Sequence, residues 1–449
     1  MSAVHGATIG WRREGRRAQV HQGQVHPVDW ALALAPVALV FGQLILLGAN
    51  SGVLSAAAAL TDTAALAALV LLSPRARSIL PDILPVLLLI LAAVVWAFLV
   101  RSRSVVPAAT PLEAAKLLGT AALLFCGVLA GARRARARLL CGALAAFGGV
   151  YALIGFWMYG VDPFRVMGVV KVAHAWRFTG TLLNANVAGV VFGVVGLTAL
   201  GWLQSVFARA RKGQTKPVLI SIGLASVLIN LTACGFTGSR TAFMTAVVLG
   251  AALCVAELVG TRSSDEDERK PRFLALTVAA GLLILAAGLG VGKIMDRQEA
   301  ASDTVNTRLD ALGRFTALAQ QRPISGWGLG AFDQVNQSHL QPSSAVEQYD
   351  FGAAHSSVIQ LLLEGGAPYL VLLAAAGALI LARIAVRWRW VADGWSRGLA
   401  AAVILAAICS IDDIDLNVPA VAGLAALVLG VLWGRALVAE PRALHEAAR

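Results

Sequence analysis

Apolar runs near the length of a bilayer crossing recur along this chain, and that repetition restricts the fold more than any motif does. A transmembrane helix needs about 20 consecutive, mainly apolar residues. Twelve such runs are read: 30–49, 52–72, 83–100, 112–132, 139–158, 182–204, 218–236, 241–259, 273–292, 367–382, 398–411 and 416–434. The run 398–411 is the shortest and reads as either a full span or a re-entrant segment. Gly and Pro inside the runs are tolerated because neighbouring helices satisfy freed backbone groups. Apolar residues make up 58% of the chain and charged residues 14%, with a mean hydropathy of +0.74. A water-soluble domain cannot hide that much apolar surface. The expectation is an all-α polytopic membrane protein with about 12 transmembrane helices and one large loop.

The net charge of +12 suggests nucleic acid until its distribution is read. With a cytoplasmic N-terminus, 25 of the 37 basic residues fall in the tails and alternate loops, such as Arg12–Arg17, Arg133–Arg138 and Arg209–Lys216. That is positive-inside bias, an orientation signal rather than a nucleic-acid footprint. It puts both termini in the cytoplasm and 293–364 outside. The organisation expected is a basic tail (1–28), nine helices (29–292), the outer loop (293–364), three helices (365–436) and a second tail (437–449). No cleavable signal peptide is visible, because the first run is long enough to stay as a span. His5, His21 and His26 match no metal template. The cysteines 126, 141, 234, 254 and 409 sit in or beside apolar runs without a Cys-x-x-Cys, so they read as small core residues. No metal site or cofactor is expected.

The outer loop carries most of the pattern outside the spans, and loops carry function while spans carry packing. Val305, Leu309, Leu312, Thr316 and Ala319 repeat at helical spacing ahead of Pro323, so 303–322 reads as an amphipathic helix. Gly326, Gly328 and Gly330 read as a flexible turn without the Lys-Ser/Thr of a P-loop. A short helix is expected over 354–364, with His355, Ile359 and Leu362 on one inward face and Gly365-Gly366 ending it.

Twelve basic residues lie on or at the edge of the outer side, where orientation does not require them. Arg240 sits in the minimal turn Thr237-Gly238-Ser239-Arg240-Thr241 between two spans. A near-membrane arginine is costly and a functional candidate; the alternative is a snorkelling side chain. Arg177 leads a segment with Asn184 and Asn186 into the sixth run. Those asparagines are either helix caps or part of an anion site at a helix N-terminus. Arg101 and Arg103 follow the third run, and Arg308 lies in the loop. Arginines converging from separate loops suit a pyrophosphate, because the guanidinium is planar, bidentate and always charged. His355 is the one histidine in a plausible outer-face site beside them, with an imidazole able to act as acid or base. Asp62, mid-span, reads as a packed carboxyl or part of a proton path. Asp412, Asp413 and Asp415 read as solvated caps of a hairpin.

Four motifs, in order, carry a resemblance. They are Arg177-Phe178-x-Gly180-Thr181-x-x-Asn184-x-Asn186; Gly238-Ser239-Arg240-Thr241-Ala242; Arg322-Pro323-Ile324-x-Gly326-x-Gly328-x-Gly330-x-Phe332; and Ala354-His355-Ser356 leading to Glu364-Gly365-Gly366. Over residues 165–380 this resembles the O-antigen ligase and O-antigen polymerase superfamily. The resemblance implies a GT-C-like helical bundle in the bacterial inner membrane with a large periplasmic loop. It implies transfer of a glycan from an undecaprenyl-pyrophosphate donor to a hydroxyl of a glycan or lipid A core acceptor, without metal or nucleotide. It assigns Arg177 and Arg240 to the pyrophosphate and His355 to catalysis. Arg101, Arg103, Asn184, Asn186, Ser239, Arg308, Gly328, Gly330 and Glu364 complete the expected substrate-binding set. The chain departs from the family pattern at Ala185, where proline is common, and at Ser356, where asparagine is common. A direct displacement would invert the anomeric centre. The alternative class is a transporter or flippase, which would need charged or broken helices at the midplane; here the charge gathers at the outer edge.

Overall fold

A computed structural model describes residues 26–438 apart from 74–75, 173, 211, 260–280, 282–300, 341–347, 350 and 414. For 258, 301–308, 390 and 412 only the backbone is described. The described chain is mostly helical. Its helices are α1 (Pro27–Ile45), α2 (Gly52–Leu72), α3 (Ala76–Leu99), α4 (Thr110–Gly131), α5 (Arg134–Val161), α6 (Ala185–Ala210), α7 (Pro217–Phe236) and α8 (Arg240–Val259). They continue as α9 (Ala301–Gln321), α10 (Phe332–Ser338), α11 (Ser357–Val391), α12 (Gly394–Asp412) and α13 (Pro419–Leu437). One two-stranded hairpin pairs β1 (Arg165–Val166) with β2 (Val169–Val170).

Among the described residues, eleven helices are long and apolar enough to cross a membrane. The protein is an all-α polytopic membrane protein. The ninth expected run, 273–292, lies outside the described residues, Gly281 apart. The short run 398–411 is part of a 19-residue helix, α12, because Gly394–Arg397 extend it at the start. Asp393 caps it by accepting from Ser396 N. The first run ends early, at Ile45, where Leu47, Gly48 and Ala49 turn the backbone left-handed.

Small residues let the central helices touch backbone to backbone, as association without a hydrophobic driving force requires. Gly127 and Gly131 of α4 face Gly430 and Gly434 of α13. A Cβ on Gly127 would lie 2.4 Å from the Leu427 carbonyl oxygen, and one on Gly430 would lie 2.0 Å from that of Leu124. Gly201 of α6 meets Gly398 of α12 the same way, its added Cβ falling 2.5 Å from the Gly398 Cα. Central α6 is thus wrapped by α5, α7, α8 and α12. Asp62 is neither lipid-facing nor solvated: it accepts from Gln43 Nε2 at 2.7 Å, buried between α1 and α2. All five cysteines are buried free thiols.

The loop elements cap one end of this bundle. Helix α9 is amphipathic, but the buried stripe is Ala311, Phe315, Leu318 and Ala319. Leu309, expected on that face, is 61% exposed. The bulky ring sets the rotation: Phe315 packs edge-on against Phe332 of α10 at 4.9 Å. The glycine-rich turn is a packed joint rather than a flexible one. Trp327 N donates to the Leu363 carbonyl at 2.8 Å, and Gly328 N to that of Glu364 at 2.9 Å. A Cβ on Gly328 would fall 1.8 Å from Ser104 Oγ. Gly366 breaks the helical backbone of α11 with φ +74°, and there Ala367 N reaches the Pro323 carbonyl at 2.7 Å.

Candidate active site

The first motif resolves into separate tasks. Phe178 is fully buried, stacked between Phe156 at 4.6 Å and Phe192 at 5.4 Å. It anchors the segment to α5 and α6. Gly180, at φ +57°, passes beneath Phe192 where a Cβ would lie 3.1 Å from the ring. Thr181 Oγ1 donates to the Leu44 carbonyl at 2.6 Å. Asn184 caps α6, its Oδ1 accepting from the backbone N of Asn186 at 2.8 Å. Of the two asparagines, then, 184 holds the helix start and 186 faces the site.

With its neighbours fixed, Arg177 is held at three points. Its Nε donates to the Thr237 carbonyl at 2.8 Å, Nη1 to His174 Nδ1 at 3.1 Å, and Nη2 to Asn186 Oδ1 at 2.7 Å. The Thr237 contact joins the first motif to the second. That turn is packed under α6, where a Cβ on Gly189 would meet Ser239 Cβ at 2.9 Å. Thr237 Oγ1 donates to the Cys234 carbonyl and accepts from Ser239 N, Gly238 takes φ +63°, and Arg240 opens α8, half-buried.

From Asn186 the network continues to the fourth motif. Asn186 Nδ2 donates to Asp413 Oδ2 at 2.5 Å, and the other carboxylate oxygen lies 3.1 Å from His355 Nδ1. A carboxylate only accepts, so Nδ1 carries a proton and Nε2 is the ring nitrogen left to face a substrate. Asp413 overturns the reading of a solvated cap: it is 4% exposed, at the end of α12. Asp415 is buried as well.

His355 is not on a helix face. It precedes α11 by two residues and adopts φ +50°. A non-glycine residue in the left-handed region is uncommon and gathers at functional sites. Its surroundings impose the conformation. Ala354 N donates to Gln360 Oε1 at 2.8 Å. Phe351 packs edge-on to the imidazole at 4.6 Å, and its carbonyl accepts from Asn336 Nδ2, while Arg314 of α9 donates to Asn336 Oδ1.

The remaining expected residues lie elsewhere or support this frame. Arg101 Nε donates to the Pro107 carbonyl within the α3–α4 connection, and the Arg103 carbonyl accepts from Arg322 of the loop cap. Glu364 Oε1 accepts from Gln360 Nε2 at 2.8 Å and Phe332 N at 3.3 Å, tying α11 to the glycine turn. Arg308 is one of the residues described by backbone alone.

A cavity of about 710 Å³ opens beside the histidine loop, with Gly352 and Ala353 in its wall. Its depth is apolar, from Leu117, Leu373 and Leu429, while Glu113, Lys116 and Asp333 line its polar part. Burial raises the Asp333 carboxyl above its usual range. On the other side of the site, burial lowers the Lys171 ammonium, partly offset by Asp162.

Residues 225–374 match the family model described as O-antigen ligase. The four motifs resemble the same superfamily. The matched segment runs from α7 into α11 and contains Arg240 and His355. Arg177, Asn186 and Asp413 lie outside it and join it through the hydrogen bonds above. The function is membrane glycan transfer of the O-antigen ligase type. No curated protein matches the chain.

Proposed function

We propose that this ligase-family protein transfers a glycan from an undecaprenyl-pyrophosphate donor to an acceptor hydroxyl, at the periplasmic face of a bacterial inner membrane. The observation that carries the reading is the continuous path Arg177–Asn186–Asp413–His355. It links an anion-binding group to a base. Arg177 and Arg240 hold the pyrophosphate and stabilise charge as it leaves; preorganised cations are effective at that task. His355 Nε2 takes the proton of the acceptor hydroxyl. Asp413 positions the ring through Nδ1 and stabilises the imidazolium formed. The oxygen attacks the anomeric carbon opposite the departing pyrophosphate, so the configuration inverts. The cavity receives the acceptor: its carboxylates suit sugar hydroxyls better than a pyrophosphate, and its apolar depth suits a lipid-anchored chain. Guanidinium groups supply the charge, and the reaction proceeds without a divalent metal.

Purified protein in vesicles, with a lipid-pyrophosphate-linked glycan and an acceptor, tests this reading. An inverted linkage and a rate insensitive to EDTA are expected; retention, or loss restored by magnesium, overturns it. Sidedness is tested by Leu340→Cys, which an impermeant maleimide should label from outside intact spheroplasts. Labelling only after permeabilisation defeats the periplasmic assignment.

A further inference from the structure

Residues 162–172 and 174–176 form an apolar projection that the proposed reaction does not use. They follow α5, whose last two turns end in Trp157 and Val161, each 70% exposed on the surface a crossing helix shows to lipid. The chain then folds back at once. Arg165 pairs with Val170 and Val166 with Val169. Met167 (φ +49°) and Gly168 (φ +83°) make the two-residue turn, in the left-handed pairing that matches strand twist. The ladder extends through Lys171 N to the Phe164 carbonyl at 2.9 Å. What this well-formed hairpin displays is apolar: Val172 is 89% exposed, Trp176 74% and Val170 54%.

Its inner face is tied to the site. Lys171 is 3% exposed, donates Nζ to the Arg177 carbonyl at 2.7 Å, and stands 5.6 Å above the Tyr159 ring. Tyr159 in turn donates its hydroxyl to the Trp176 carbonyl at 3.0 Å. The depth of the hairpin therefore sets the depth of Arg177.

Two observations identify what covers the outer face. The apolar patch continues the lipid-facing end of α5 without interruption: Phe164 follows Val161 by three residues, and such a link spans only about 10 Å. Tryptophan and tyrosine with flanking charges, here Arg165 and Asp162, are what an interfacial layer selects, rings at the headgroups and charges reaching water. We infer that the hairpin built on Arg165–Val170 docks into the headgroup layer of the leaflet on the site side, and so holds Arg177 at the depth of lipid phosphates. A lipid surface, rather than a second protein, is the partner.

The test uses the full chain in phosphatidylethanolamine–phosphatidylglycerol vesicles. A single fluorophore is placed at Val172→Cys, where near-complete exposure leaves packing intact and the five native thiols are buried. Lipids with a nitroxide at a shallow position should quench this probe several-fold more than one at exposed Gln320→Cys, and aqueous iodide should quench it weakly. Strong iodide quenching without nitroxide quenching overturns the proposal, because the hairpin then stands in water. Protection from both quenchers also overturns it, in favour of a protein partner or a second copy. Adding Val170→Asp should abolish most of the nitroxide quenching; an unchanged value would show that the apolar face does not hold the hairpin.

Discussion

The two ends of the bundle are built from the same side chains and do different things with them. At the basic end, Asp29 of α1 accepts from Arg136 Nε at 3.1 Å and Nη2 at 3.0 Å, and also pairs with Arg133. Both Asp29 and Arg136 are at least 95% covered. At the other end, Asp413 also meets an arginine, but with the amide of Asn186 between them and a histidine on its second oxygen. The histidine is 19% exposed and its backbone is strained. Such a conformation costs on the order of 1–3 kcal/mol and persists only where surroundings over-determine it. The first cluster fastens α1 to α5. The second orients a histidine and leaves it reachable, as the proposed base requires.

The largest expected effect comes from the strained end. His355→Ala should lower transfer by about 10²–10⁴-fold, the range of general-base catalysis. Binding of the donor lipid should change little, because the arginines remain. Asp413→Asn keeps the shape and removes the carboxylate, and should also act on turnover more than on donor affinity. Turnover measured beside donor binding at matched protein levels separates the two. Loss of binding without loss of turnover would break the contrast between the ends.

Much of the site end was legible because its cations break a rule. Arg240 and Arg177 stand where orientation needs no charge, and His355 sits near the end of the long outer loop. Asp413 reads as solvated in the sequence because an acid in a turn between spans ordinarily is. Its burial needs the α12–α13 turn to close over Asn186, a contact 227 residues apart in sequence. Three acids within four residues, facing an arginine-rich side, were the available signal. The Gly127/Gly131 and Gly430/Gly434 seams were visible as spacing, but their pairing joins helices some 300 residues apart. Periodicity places the histidine on a helix, and the positive φ of residue 355 is not something periodicity carries.

The next effect belongs to the basic end. Asp29→Ala leaves Arg136 buried with its main partner gone. Breaking a buried pair from one side costs about 3–5 kcal/mol. Thermal inactivation in detergent should therefore move to markedly lower temperature, while the protein that remains folded transfers glycan at the normal rate. A normal inactivation profile with a slowed reaction would assign this cluster to chemistry and erase the distinction between the two ends.

The smallest effect tests geometry within the site. Arg240→Lys keeps the positive charge and removes the planar fork. If Arg240 holds phosphate oxygens through paired donors, one charge-assisted hydrogen bond is lost, worth about 1.5–3 kcal/mol, or roughly ten- to a hundredfold in rate. If it serves only as a snorkelling cation at the headgroups, lysine snorkels equally well and the rate holds. Arg177→Ala differs in kind: it removes the group held by Thr237, His174 and Asn186, so it should weaken donor-lipid binding first. Gln320→Ala on the exposed side of α9 is the reference, with a change within about 0.5 kcal/mol expected at such a surface position. Transfer by Arg240→Lys indistinguishable from Gln320→Ala would remove Arg240 from the anion site and leave Arg177 to bind the pyrophosphate without it.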